Sequence, residues 1–135
     1  MNQLHEICHE FGLLSVYLFG SRADDGLRLL RGRAVSAEGS DLDVGVFSAS
    51  RHVEVRLLGE LQIALEELFE PLRVDLVPLD RVDPLFQFRA IDGHRVATSD
   101  STATDERELE VMRRAADLLP FQREAELETF GVATS

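Results

Sequence analysis

The sequence contains no lysine, since all fourteen of its basic residues are arginine. This absence excludes the lysine of a Walker A phosphate loop and any Schiff-base lysine. Cysteine is nearly absent as well, because Cys8 is the single one, so no internal disulfide can form and stability must come from packing. A lone cysteine agrees with a reducing compartment, and we expect a cytoplasmic location.

Long apolar runs are also missing. The longest nearly apolar stretch, residues 13–19, is far shorter than the roughly 20 residues that a membrane-spanning helix needs. The first ten residues contain no basic segment followed by an apolar one, so we expect neither a membrane span nor a secretory signal. A chain of 135 residues that is 44% hydrophobic and 29% charged has the composition of one folded domain.

Positive charge is scarce relative to negative charge. The 14 basic and 25 acidic side chains leave a net charge of −11. Such a surface repels the phosphate backbone of nucleic acids, so direct nucleic-acid binding is not expected. A small anion can still bind in a local pocket formed by backbone amides or a metal ion, and a protein partner is expected to be basic.

Hydrophobic periodicity predicts one α/β domain. The predicted elements are a helix over 2–12, strands over 14–19, 41–47 and 73–79, a helix over 52–69, a short helix over 84–90, an edge strand over 93–98, and C-terminal helices over about 105–130 that are broken or kinked at Pro120.

Two segments of this pattern are ambiguous. Residues 24–39 contain three glycines, two adjacent aspartates and three arginines, which predicts a long loop or flap with room for a helical turn at 27–31. Leu109, Met112, Ala116 and Leu119 recur at helical spacing. We predict that this stripe packs in the core, and a groove for a partner is the alternative.

Three aspartates are positioned to meet at one end of the sheet. Asp41 and Asp43 occupy one face of a predicted strand, and Asp75 lies inside the next strand. Three carboxylates in a small space repel one another and take up protons unless a divalent cation neutralises them. Oxygen ligands suit Mg²⁺ better than Zn²⁺, so the pattern predicts a magnesium site.

A phosphate-binding turn is predicted beside this site. Gly20-Ser21 closes the first strand where a helix can begin, and the free amides there would receive a polyphosphate. A metal site next to a phosphate site can perform nucleotidyl transfer, with Arg22 and the amides holding the leaving pyrophosphate.

The residues that carry this chemistry resemble a known family. LFGSRA (18–23), SDLDVGV (40–46) and VDLVPLD (74–80) resemble the minimal nucleotidyltransferase (MNT) domains of the polymerase β-like superfamily. The segment 84–100 looks like the usual ending of that family, and the resemblance covers roughly residues 10–118. It implies a polymerase β-like nucleotidyltransferase fold with a small mixed sheet flanked by helices.

The resemblance implies a role for each matching residue. Gly20 and Ser21 form the triphosphate-binding turn, Arg22 contacts phosphate, Asp41 and Asp43 bind the metal, and Asp75 is the third metal-binding carboxylate and the base. ATP is the implied substrate, with Mg²⁺ or Mn²⁺ as the cofactor. The connection over 22–40 is longer than is usual in the family, and Asp24-Asp25 stand where a second basic residue often follows. We expect the flap over 24–39 to become ordered over bound nucleotide or against a partner.

The resemblance also implies a cytoplasmic toxin–antitoxin role. MNT proteins of this kind neutralise a HEPN-domain ribonuclease, in some cases by transferring AMP to a toxin tyrosine. Two alternatives stay open: an antitoxin that acts by binding alone, and a small-molecule adenylyltransferase of the antibiotic-modifying type, for which 135 residues leave little room.

Overall fold

The computed structural model describes residues 2–52 and 54–130, which build a four-stranded sheet with helices on both faces. Its elements are α1 (Asn2–Glu10), β1 (Leu13–Phe19), α2 (Ala23–Leu30), β2 (Leu42–Ser48), α3 (Val55–Leu68), β3 (Val74–Pro78), a 3-10 turn (Leu79–Arg81), α4 (Pro84–Ile91), β4 (His94–Thr98) and α5 (Ser101–Phe130).

The sheet is mixed, as predicted. The strand order is β3-β2-β1-β4, in which β1 pairs antiparallel with both β2 and β4 while β2 pairs parallel with β3. The predicted edge strand is therefore confirmed as β4. Since the parallel pair needs a crossover, α3 connects the two strands across one face of the sheet.

Each face of the sheet has its own apolar layer. Helices α1, α2 and α3 cover one face around buried Val16, Leu18 and Val44. Helices α4 and α5 cover the other face, where Tyr17 and Phe47 pack edge to face with their ring centroids 6.2 Å apart. Alternate residues of a strand point to opposite faces, so Asp43, next to inward-facing Val44, lies on the α4 and α5 face.

Helix α1 buries the single cysteine. Leu4, Ile7 and Cys8 form the buried apolar face of this helix and are at most 9% exposed. Burial raises the pKa of the Cys8 thiol to about 11, because the thiolate is poorly solvated there.

Cys8 is therefore expected to be inert in the folded protein. At pH 8 a chromogenic disulfide reagent should react with native Cys8 at least about a hundredfold more slowly than with the urea-unfolded chain, since the thiolate is the reactive form. The Cys8→Ser protein serves as the blank. Equal rates in the native and unfolded protein would show that α1 does not shield this thiol.

The predicted flap over 24–39 is wrong in its first half, because Ala23–Leu30 form helix α2. Gly26 was one reason to predict a loop, yet in the structure it is a buried residue of the helix. A Cβ at this position would lie 2.7 Å from a side-chain carbon of Leu18 and 3.0 Å from one of Leu42. Glycine therefore lets the helix approach the sheet closely instead of ending it. Only residues 31–41 form an irregular loop.

Helix α5 differs from its prediction in extent. It starts at Ser101 because the Asp100 side chain accepts a hydrogen bond of 3.0 Å from the backbone N–H of Ala103. It runs as one element through Pro120, so the pair of helices predicted over about 105–130 is in fact one. A proline removes only one backbone donor, and the flanking turns continue the helix here.

The predicted core stripe of this helix is also wrong. Leu109, Met112 and Leu119 are 47%, 45% and 51% exposed. The buried face of α5 instead consists of Thr104, Arg107, Val111 and Ala115. Apolar periodicity does not indicate this face, because two of its residues, Thr104 and Arg107, are polar. They can be buried because Arg107 pairs with Asp80 at 3.2 Å and Thr104 forms a hydrogen bond with Thr98 at 2.6 Å.

Within residues 2–52 and 54–130, no helix combines the length and the apolar character that crossing a membrane requires.

Candidate active site

Two of the predicted carboxylates are direct neighbours across the sheet. Asp43 of β2 lies opposite Asp75 of β3 in the parallel register, and Phe19 of β1 lies opposite Asp43 on the other side. Asp41 immediately precedes β2, two residues from Asp43. The sheet therefore brings Asp43 and Asp75 together at the N-terminal ends of β2 and β3.

The predicted phosphate turn is next to this pair. Gly20 has a φ of +76°, and a Cβ at this position would overlap the Asp43 carboxylate. Only glycine allows the turn after β1 to pass so close to that side chain. Ser21 extends the contact, because its hydroxyl lies 2.8 Å from the hydroxyl of Ser40, the residue before Asp41.

The electrostatics of the site disfavour the ionised form of Asp43. The pKa of Asp43 is raised by its burial first, and then by the charge of Asp75 and a hydrogen bond with it, with a smaller contribution from Asp41. The charge of Arg89 acts in the opposite direction. Ionised Asp43 is thus short of compensating positive charge in the folded protein.

The three predicted ligands are all carboxylates, which are the oxygen ligands that a hard divalent cation prefers. Among the described side chains, however, no three from His, Cys, Asp and Glu converge into a ready metal cluster. The assembled part is the Asp43 and Asp75 pair. Asp41 lies at the exposed edge of the site, and the metal-binding roles of all three aspartates stay predictions.

Arg22 has contacts other than those predicted. Its guanidinium donates to the backbone carbonyls of Ser36 at 2.6 Å, Glu38 at 3.0 Å and Ser40 at 3.1 Å. Its Nε donates to Asp25 at 2.7 Å, and the residue is only 8% exposed. Three guanidinium hydrogen bonds therefore hold the loop over 31–41 and a fourth is made to Asp25, while the predicted phosphate contact of Arg22 stays a prediction.

An open cleft of about 310 Å³ adjoins the site. It lies between the Gly20-Ser21 turn and the connection from α4 to β4, and its lining includes Arg89 and His94. His94 Nε2 is 2.9 Å from a carboxylate oxygen of Asp24, which lines the same cleft. Sequence reasoning singled out neither Arg89 nor His94, because tertiary packing brings them beside the turn: β4 pairs with β1 at His94, and α4, which carries Arg89, packs on Phe19 through Phe86.

A search of curated proteins finds no match to the chain. Three solved structures of similar fold come from toxin–antitoxin systems, and at 16–18% identity the likeness concerns the fold. A chain of a MntA–HpeT complex with two Asp-to-Glu substitutions aligns with a TM-score of 0.69 and 16% identity, covering 97% of this chain and 98% of that one. A toxin–antitoxin structure with AMP-PNP gives 0.67 and 18%, covering 97% and 98%. A complex of tri-AMPylated HEPN toxin with MNT antitoxin from Shewanella oneidensis gives 0.65 and 16%, covering 97% and 95%.

The family is shown by sequence. The model of the family described as Polymerase beta, Nucleotidyltransferase matches residues 2–103, which is well over half of the chain. The match includes the glycine turn, the carboxylate pair and the cleft. The chain therefore belongs to the polymerase β nucleotidyltransferase family.

Proposed function

We propose that this protein is a cytoplasmic MNT-type antitoxin that transfers AMP from ATP to a hydroxyl of a HEPN-domain toxin. The observation that carries the proposal is the cross-strand pair of Asp43 and Asp75 beside a turn that only glycine fits. Carboxylates for a cation and free amides for a polyphosphate thus lie within one end of the sheet.

The reaction follows from these positions. The toxin hydroxyl oxygen attacks the α-phosphorus of ATP, the bond from that phosphorus to the bridging oxygen of the β-phosphate breaks, and pyrophosphate leaves. Asp75, the exposed member of the pair, accepts the hydroxyl proton. The amides of Gly20 and Ser21, in the turn between β1 and α2, hold the triphosphate.

Asp41, Asp43 and Asp75 are the residues that would hold Mg²⁺ or Mn²⁺. When bound, the cation neutralises charge on the phosphates and orients the attacking and leaving oxygens. The pKa of Asp43, raised by burial first and by the charge of Asp75 next, supports this assignment, since a nearby cation would stabilise the ionised carboxylate.

Two observations support a protein acceptor. The net charge of −11 favours a basic partner over a nucleic acid. One structure of the same fold is a complex of an MNT antitoxin with an AMPylated HEPN toxin, and the two aspartates changed in the MntA–HpeT mutant have the spacing of Asp41 and Asp43.

Incubation with α-labelled ATP, Mg²⁺ and the protein encoded by the adjacent reading frame, which the proposal expects to be a HEPN-domain toxin, tests the proposal. Label is expected on the toxin, and γ-labelled ATP should leave the toxin unlabelled because pyrophosphate departs. Label on an aminoglycoside and on no protein would favour the small-molecule alternative. A stable complex of the two proteins without any label would favour binding alone.

A further inference from the structure

Helix α4 brings one arginine to the cleft beside the carboxylate pair. The Arg89 guanidinium carbon lies 5.4 Å from the ring centroid of Phe86, one helical turn earlier. The Phe86 ring packs edge to face against Phe19, with the centroids 5.9 Å apart, and Phe19 is the strand partner of Asp43. A continuous series of packed contacts therefore positions the guanidinium relative to the site.

The guanidinium of Arg89 has free donors. Within the part of the chain that the structure describes, Arg89 forms no ion pair or hydrogen bond, and its contact with the Phe86 ring engages none of its N–H donors in a hydrogen bond to oxygen. Arg22, by contrast, donates its hydrogen bonds to the loop over 31–41 and to Asp25. Arg95, on the adjacent strand β4, is paired with Asp105 and Glu108.

The cleft needs a positive charge if a triphosphate is to enter it. Asp24 and Asp92 line it along with Arg89, and the carboxylate pair lies alongside. His94 is engaged with Asp24 through Nε2. Among the described residues that line the cleft, Arg89 is the arginine. An arginine fork binds two phosphate oxygens in a planar, bidentate geometry that an ammonium group does not offer.

We infer that Arg89 is the residue that binds the β- and γ-phosphates of the nucleotide, in the place that the sequence motif suggested for Arg22. This inference rests on the proposed function and adds to it the group that holds the leaving pyrophosphate. As the bond to the α-phosphorus breaks, negative charge grows on the pyrophosphate, and the guanidinium stabilises it. Arg89 thus binds substrate and assists departure of the leaving group.

Calorimetric titration with ATP and with AMP, both with Mg²⁺, separates this role from a structural one. Arg89→Ala should weaken ATP binding at least about tenfold and AMP binding less than about threefold, because AMP lacks the two phosphates concerned. Arg89→Lys, which keeps the charge and loses the fork, should fall between wild type and Arg89→Ala. The melting temperature should stay unchanged, since Arg89 is exposed.

Arg113→Ala is the matched control, because it removes an exposed arginine on α5, outside the cleft, and should bind ATP as wild type does. Wild-type binding of ATP with no more than a twofold change in Arg89→Ala would overturn the inference and leave the proposed function standing. An equal loss for ATP and AMP would also overturn it, since it would indicate a general change in the cleft. Failure of wild type to bind ATP would refute the proposed function and this inference together.

Discussion

Asp43→Asn is expected to abolish AMP transfer and, at the same time, to stabilise the free protein. Burial and the Asp75 charge raise the pKa of Asp43, so its ionised form destabilises the fold at neutral pH. Asparagine has nearly the same shape without the charge, and the free energy of unfolding should rise by about 1 kcal/mol. Loss of a proposed metal ligand should lower the transfer rate by at least about a thousandfold.

The stabilisation by Asp43→Asn should depend on pH. A carboxyl whose pKa is raised by folding destabilises the protein where it is ionised, and this penalty disappears as the pH falls through that pKa. The advantage of Asp43→Asn in urea unfolding should therefore be largest near pH 7 and shrink toward pH 3.8, the unperturbed value of aspartate. The unfolding is measured in EDTA so that no cation shields the pair.

Asp117→Asn is the control for Asp43→Asn. It makes the same change in net charge at an exposed position of α5, and both stability and transfer should equal those of wild type. ATP calorimetry with Mg²⁺ and with excess EDTA completes the test. An Asp43→Asn protein that keeps its Mg²⁺-dependent ATP binding would contradict the assigned metal site.

Arg22→Ala is expected to lower the free energy of unfolding by about 3 kcal/mol. The buried guanidinium bonds to three carbonyls of the loop over 31–41 and to Asp25, and alanine would leave those acceptors without their donor. Arg22→Lys should recover little of this loss, because a single ammonium group cannot reach the carbonyls of Ser36 and Ser40 in the fork geometry.

The loop itself should report the loss of Arg22. Trypsin is expected to cleave after Arg31 and Arg33 sooner in Arg22→Ala than in wild type, because the loop that carries them is no longer held. Arg28→Ala is the matched control: Arg28 also bonds to Asp25, at 2.6 Å, but its side chain is 53% exposed, so its loss should change stability by less than about 0.5 kcal/mol. Equal stability of the two variants would show that the Arg22 contacts do not hold the loop.

Part of the site could be predicted because its residue types report their own chemistry. A glycine that ends a strand, and aspartates spaced two apart along a strand, indicate a turn and a shared face without knowledge of the partners. The contacts of Arg22 and Arg89 could not be predicted. In the sequence, an arginine that bonds to a loop of its own chain cannot be told from one that faces a ligand. Which of the two it does depends on residues that are distant in the sequence.

The sequence by itself determined most of the helices and strands and the candidate carboxylates, because these depend on local spacing and on the chemistry of single side chains. The mixed sheet was implied by the family resemblance and not by periodicity. The tertiary structure decided the rest. Packing against Leu18 and Leu42 made Gly26 part of a helix where local propensity favours a loop, and the strand register put Asp43 beside Asp75 with Asp41 at the edge. Burial decided which stripe of α5 is core, because Arg107 and Thr104 found partners there and left Leu109 and Met112 exposed. These outcomes depend on contacts between residues far apart in the chain, which local periodicity does not encode.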